Sequence, residues 1–391
     1  MVVFLLIDLP FQSDVHLFQF WANRLFEDGL ASFYYADFFS DYPPMYMYVL
    51  WVVGAINSVL GFEYLSRSFN LLIFSPAIIA DLITVLFIYT LGIRMLSTKA
   101  AFGIALTYSI NPGVILNSTI WGQVDAVHTL LLFFAIYAVS KKQILPVYLL
   151  YGVAVLTKPQ SLIVAPIFLY SAFYYFKENG YTPKAALTMV GYAVCTFLFM
   201  AFLSLPFGLG LVLNQYVDTV GSRPFATINA YNFYALTGGN WHDITPFFAM
   251  LSATAIVGVS CVAFWLLHKH FNTAAVFYSA ALLYIITFVF SARMNERYLF
   301  PALLFLLMSA MFMRNKSDDR IPILYAVFSS TFFINCLDIL LRTYDIQFFG
   351  PPPPPVHRPV ESFVALISFI NVSFAFYSLK IGRDIQRWTD F

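Results

Sequence analysis

Residues 13–48 read SDVHLFQFWANRLFEDGLASFYYADFFSDYPPMYMY. Two acids, Asp14 and Asp41, bound an amphipathic segment too polar to cross a bilayer. Asp14 follows Ser13 at the start of a helical pattern. Phe18, Trp21 and Leu25 share its face at helical spacing, so protein should cover that face. A carboxylate against an apolar wall has a raised pKa and can take a proton from a hydroxyl. The plainer reading is an acid in a first helical turn, stabilised by the dipole. Asp41-Tyr42-Pro43-Pro44 is a helix start, with an acid near the cap and proline in the first turn. Its expected role is to fix the turn between two interfacial helices and help wall the cavity that Asp14 faces.

Outward from this stretch the chain is apolar. It has 391 residues, 60% hydrophobic and only 10% charged, with a mean hydropathy of +0.77. A soluble domain is roughly 25% charged. Apolar runs recur along the whole length and several approach ~20 residues. This composition predicts an all-α, polytopic integral membrane protein. The net charge of +1 argues against a nucleic-acid partner and leaves membrane lipid as the surrounding one. Cys195, Cys261 and Cys336 lie far apart in apolar runs and read as small buried hydrophobes. Residues 1–10 (MVVFLLIDLP) have the character of a span at half its length, without the basic start of a signal peptide. They read as a truncated first span.

Further candidate spans fall at 69–92, 99–117, 124–140, 144–157, 160–176, 185–206, 246–267, 273–291, 298–313, 321–341 and 359–379. Hydropathy alone would add 44–61. Charge decides against it, because basic residues cluster in alternate connections. Arg94 with Lys99, Lys141 with Lys142, Lys177 with Lys184, Lys269, the Arg314/Lys316/Arg320 run and Lys380/Arg383/Arg387 form one set, assigned to the cytoplasm. One crossing then separates Asp41 from Arg94. The 44–61 segment is therefore expected along the outer interface, with Tyr46, Tyr48 and Trp51 near headgroup depth. The expected count is about twelve spans with both termini inside. The layout is a single membrane domain over 1–391. It comprises a first outer loop at 13–61 with two interfacial helices, spans over 69–206, an outer loop at 207–246, spans over 247–379 and a cytoplasmic tail at 380–391. The pentaproline 351–355 reads as a stiff outer spacer.

The non-cytoplasmic side then collects the polar motifs. Asn111-Pro112-Gly113 breaks one apolar run, and Trp121-Gly122-Gln123-Val124-Asp125 opens the next. Asp125 reads equally as a helix-start acid. Thr157-Lys158-Pro159-Gln160 breaks a helix, leaving backbone amides and an ammonium to face a ligand; a snorkelling lysine is the bland alternative. Arg293, Asn295, Glu296 and Arg297 lie between two spans, where two arginines and a lysine would suit a phosphate. Interfacial anchoring is the alternative for each singly. Asp81 sits mid-span, where an acid is a functional candidate by default. A structural hydrogen-bonding role inside the bundle is slightly favoured.

Taken in order, these motifs resemble those of the GT-C superfamily of polytopic glycosyltransferases. They are most like the dolichyl-phosphate-glucose-dependent glucosyltransferases of N-glycan assembly and the prokaryotic mannosyltransferases related to GPI-anchor enzymes. Asp14 and Trp21 resemble the acid and tryptophan of the family's first outer loop, and Asp41 to Pro44 its DYPP motif. Ala80-Asp81-Leu82 resembles an ADL element. Asn111 to Asp125 and Lys158 to Gln160 resemble the next two outer motifs. Arg223 with Asn229 and Asn232 resembles a motif of the long outer loop. Glu296-Arg297-Tyr298 with Pro301 resembles the HER/HEK element, but Asn295 stands where that element usually has histidine. A neutral amide there can hydrogen-bond but carries no charge.

The resemblance implies a GT-C fold and a polyprenyl-phosphate sugar as donor. Asp14 would deprotonate an acceptor hydroxyl, on a glycan or glycolipid, as it attacks the anomeric carbon with inversion. Lys158 and Arg297, with Arg293, would hold the departing phosphate. Asp41, Tyr42, Trp121, Gln123, Asp125, Gln160, Arg223 and Glu296 would complete the substrate site. No DxD or histidine cluster calls for a metal, and no cofactor is expected beyond the lipid-linked donor. The membrane would be the plasma membrane in a prokaryote and the ER membrane in a eukaryote, with the site on the outer or lumenal face. Two rivals stand beside this reading. One is a transporter or flippase of lipid-linked sugars, against which the absence of an internal repeat counts. The other is an inactive scaffold of a glycan-assembly complex, against which the retained Asp14 counts.

The topology is directly testable. In a cysteine-free background, a cysteine at Tyr64 should react with an impermeant maleimide from outside, and one at Lys142 should not. Labelling of position 142, or protection of position 64, would overturn the arrangement.

Overall fold

A computed structural model describes residues 13–35, 38–221, 224–313, 318–349 and 361–384. The half-span 1–10, Arg223, Arg314, Lys316, the pentaproline and the tail beyond 384 lie outside the described residues. The structure is 81% helical with almost no strand, which makes the fold all-α. In chain order the helices are α1 (Ser13–Glu27), α2 (Pro44–Leu60), α3 (Arg67–Gly92), α4 (Thr98–Ser109), a single turn α5 (Pro112–Ile115), α6 (Asp125–Ser140), α7 (Leu145–Thr157) and α8 (Ala165–Asn179). There follow α9 (Pro183–Ser204), α10 (Leu209–Gly221), the turn α11 (Phe233–Leu236), α12 (Pro246–Lys269), α13 (Thr273–Phe290), α14 (Phe300–Phe312), α15 (Arg320–Phe349) and α16 (Ser362–Asp384). Two two-residue strands pair in parallel, β1 (Thr227–Ile228) with β2 (Met294–Asn295).

Each of the eleven apolar runs read from the sequence meets a helix. Among the described residues six helices are long and apolar enough to cross a membrane, or seven if the broken run 112–140 counts as one. Several others are short. α7 and α14 have 13 residues each and α4 has 12, against the ~20 that span a hydrocarbon core. The run at 99–117 breaks at Asn111, whose side chain accepts from the backbone amides of Gly113 and Val114 at 2.9 and 3.4 Å. An asparagine cap followed by proline at the first helical position starts a new turn there and ends the old helix.

The chain divides into two compact units, one of residues 13–81 and 121–221, the other of 82–120 and 224 onward. In the first, α1 lies on α2. Gly54 permits the crossing, because an added Cβ would sit 2.1 Å from the carbonyl oxygen of Ala22. Val15, Phe18, Trp21, Ala22 and Leu25 of α1 are all buried, as their spacing predicted. Phe18, Trp21, Phe33, Tyr42 and Tyr46 stack edge-on around them. Gln19, within this apolar face, is satisfied from both ends: it donates to Asn70 Oδ1 at 2.6 Å and accepts from the Leu65 amide at 2.8 Å.

The helix start read at Asp41 to Pro44 is present: α2 begins at Pro44, with proline in its first turn, after an extended Pro43. Two expectations change here. Tyr46 is packed inward and is not at a headgroup surface, because α2 turns Tyr46, Met47, Leu50, Val53 and Asn57 to the protein. Its opposite face shows Trp51, Val52, Ile56, Val59 and Leu60, apolar enough for lipid. Second, Cys195 and Cys261 are exposed, and only Cys336 is buried. An apolar helix in a membrane need not hide its apolar side chains in protein.

In the second unit α13 is the hub, buried along almost its whole length. It packs against α12, α14 and α16. Between α10 and α12 the chain from 224 to 245 is strapped by backbone hydrogen bonds such as Ala226 N to His242 O and Ile244 N to Pro224 O, both 2.7 Å. Buried amides finish the job: Asn232 donates to Phe288 O, Asn371 to Tyr231 O and Asn335 to Asn229 O.

Gly54 is the sharpest test of this packing. Gly54→Ala should lower stability by about 1–3 kcal/mol, the usual cost of overpacking. Gly191→Ala, where nothing lies within 4 Å, should be neutral. Detergent-solubilised thermal melts compare the two; equal midpoints would show that the α1–α2 crossing is looser than described.

Candidate functional site

Asp14 stands in the first turn of α1 and is half-buried. One of its oxygens, Oδ2, accepts from Gln123 Nε2 at 3.0 Å, a contact between residues 109 apart in the chain. Gln123 is fully buried. Its placement depends on the residue before it. Gly122 has φ +69, and a Cβ there would sit 2.2 Å from the Phe74 ring. Only glycine combines that left-handed turn with that close approach. His16, two residues beyond Asp14, is held below the ordinary imidazole range by burial, so it is chiefly neutral at pH 7.

Two residues after Gln123, Asp125 opens α6. Its Oδ1 lies 2.5 Å from Lys158 Nζ, and the two side chains are 3% and 4% exposed. Lys158 sits where α7 ends. Its backbone is extended, at φ −155 and ψ 129, and Pro159 begins a 3-10 turn. The helix break expected at this proline is therefore present. The ammonium, expected to face a ligand, has a buried carboxylate beside it. One turn further along each element, His128 Nε2 and Ser161 Oγ pair at 2.9 Å, and Ser161 donates to Ala154 O at 2.7 Å. Gln123 Oε1, Asp125 Oδ2 and His128 Nδ1 have no hydrogen-bond partner among the described residues. A buried polar atom without a protein partner is costly, and water or an ion is among its ordinary completions.

The remaining predicted residues are distributed as follows. Trp121 is buried beside Gln123 in sequence, and Gln160 is half-buried. Tyr42 is buried, and its carbonyl accepts from Tyr34 Oη at 2.7 Å; Asp41 is half-buried. Asp81 is half-buried on α3. In the other unit Glu296 is buried and takes Arg297 at 2.7 Å. Arg293 is exposed and holds the left-handed φ of +63, a conformation that costs a non-glycine residue about 1–3 kcal/mol. Asn295, in the place of the family histidine, is buried with Oδ1 unpartnered among the described residues. Arg223 lies outside the described residues.

Sequence reading passed over His128 and Ser161. A signal was present: each lies three residues after a member of the ion pair, one helical turn away.

The chain matches no protein-family model and no curated protein. Its function has to be read from the residues themselves.

The ion pair can be tested apart from any activity. Lys158→Ala strands a buried carboxylate and should destabilise by about 3–5 kcal/mol. Lys158→Met combined with Asp125→Leu removes both charges and should recover much of that loss. Thermal melts read the difference. Equal melting for wild type and Lys158→Ala would mean the pair is exchanged with water.

Proposed function

We propose that this chain is an inverting, membrane-embedded hexosyltransferase. It moves glucose or mannose from a polyprenyl-phosphate donor to a glycan or glycolipid hydroxyl on the non-cytoplasmic side of the membrane. The observation that carries the reading is Asp14: a half-buried carboxylate anchored through one oxygen by the buried Gln123. The fold that goes with it is GT-C, with about twelve spans and α1 and α2 as interfacial elements.

In this reading the acceptor oxygen attacks the anomeric carbon as Asp14 takes its proton. A positioned general base contributes typically 10²–10⁴-fold. The bond from the anomeric carbon to the phosphate oxygen breaks, and the polyprenyl phosphate departs with the electron pair. The resemblance gives the leaving phosphate to Lys158 and Arg297, with Arg293. The first two pair with Asp125 and Glu296, and such pairing keeps a cation charged and aimed in dry surroundings.

A carrier of lipid-linked sugars is the second reading. Ionisable chemistry inside an apolar body favours it, namely Asp125 and Lys158 beside His128 and Ser161.

Purified protein incubated with synthetic polyprenyl-phosphate glucose and mannose and a lipid-extract acceptor should yield a glycosylated product by mass spectrometry. Asp14→Asn should lower that yield by about 10²–10⁴-fold while donor binding persists. Transfer at the normal rate by Asp14→Asn would remove the base assignment. Accumulation of intact donor across a proteoliposome membrane, with no transfer product, would favour the carrier.

A further inference from the structure

The helices α12 and α16 both end in basic residues. α12 closes with His268 and Lys269, and α16 carries Lys380 and Arg383 in its last turns. Between these ends lies a groove of about 620 Å³, lined by Cys261, Val262, Trp265, Leu379, Lys380 and Arg383. Its lining is apolar apart from the two cations. Near it the helices close on one another: a Cβ at Gly382 would meet Leu266 at 3.3 Å and Tyr278 at 3.5 Å. Tyr278 of α13 ties α16 down by donating to the Ser378 carbonyl at 2.6 Å. Lys269 Nζ lies 4.3 Å from the Trp265 ring centre, which restrains the indole.

Each feature has a bland explanation taken alone. A cation at a helix C-terminus is stabilised by the dipole, and a lysine there snorkels to the interface. Neither role needs an open apolar slot beside those cations between two helices. An apolar slot of this kind accepts an acyl chain, and the cations at its end complement a phosphate. A basic pocket between membrane helices is the physical form of anionic-lipid recognition.

The geometry points to a binding site for one anionic phospholipid. Its acyl chain runs along Cys261, Val262, Trp265 and Leu379, and its headgroup phosphate rests between Lys380 and Arg383. The site is independent of Asp14 and of any transfer reaction.

Cys261 supplies the readout, because it lines the groove and is exposed, while Cys195 is exposed elsewhere and serves as internal control. The full chain in detergent is alkylated with N-ethylmaleimide, and the rate at each cysteine is followed by peptide mass spectrometry. Dioleoylphosphatidylglycerol should slow Cys261 and leave Cys195 unchanged, whereas dioleoylphosphatidylcholine should protect far less. Lys380→Gln and Arg383→Gln should each raise the half-protecting lipid concentration about fivefold. The wild-type comparison of the two lipids needs no variant to fold. Equal protection by both lipids would reduce the groove to a headgroup-blind apolar slot and overturn the proposal. So would parallel protection of Cys195, or protection by inorganic phosphate as strong as by the lipid.

Discussion

The pairing of Lys158 with Asp125 is the constraint around which the first unit is arranged. Two nearly solvent-free charges each cost several kcal/mol to bury, and their attraction offsets this only in good geometry. Neither residue can shift alone. The pair thereby joins the first turn of α6 to the residue where α7 stops, and His128 with Ser161 repeats the tie one turn away. Gln123, two residues ahead of Asp125, inherits that fixed position. Through Gln123 it reaches Asp14 on α1. Burial of its neighbours thereby restrains the orientation of the Asp14 carboxylate.

The second unit reaches the same end with neutral amides. Asn111 caps the turn after α4 and donates to Tyr325 at 2.7 Å and Ser329 at 2.5 Å. Asn335 and Asn371 donate to backbone carbonyls of the 224–245 segment, and Asn232, within that segment, donates to Phe288 O near the end of α13. An unsatisfied backbone group in such surroundings costs several kcal/mol, so irregular chain persists there only where side chains complete its hydrogen bonds. Arg342 adds charge at the rim, holding Asp338 at 2.6 Å and Glu361 at 2.5 Å. Tyr231, from the loop, donates to that same Asp338.

A common consequence follows for the cations. Lys158 and Arg297 both carry a carboxylate partner, so neither presents a bare charge to an anion.

The apolar runs and their breaks were legible from composition and punctuation alone. Eleven runs met helices, Asn111-Pro112-Gly113 and Lys158-Pro159 broke the chain where they stand, and Phe18, Trp21 and Leu25 were buried as their spacing required. These properties are local sums over a window, and a window contains all they need. Asp14, Asp125 and Lys158 were visible as candidates because charge is rare here, and Gln123 through the Trp121–Asp125 motif it belongs to. Only the tertiary structure decided their partners. Sequence showed Lys158 and Asp125 as separate candidates, and folding set them side by side, because a buried ammonium needs a carboxylate near it. Folding likewise turned Tyr46 inward, left Cys195 and Cys261 exposed, and paired Thr227 with Met294. In a chain this apolar almost every helix face is hydrophobic, so periodicity cannot separate the side that meets protein from the side that meets lipid; contacts between residues a hundred positions apart make that choice.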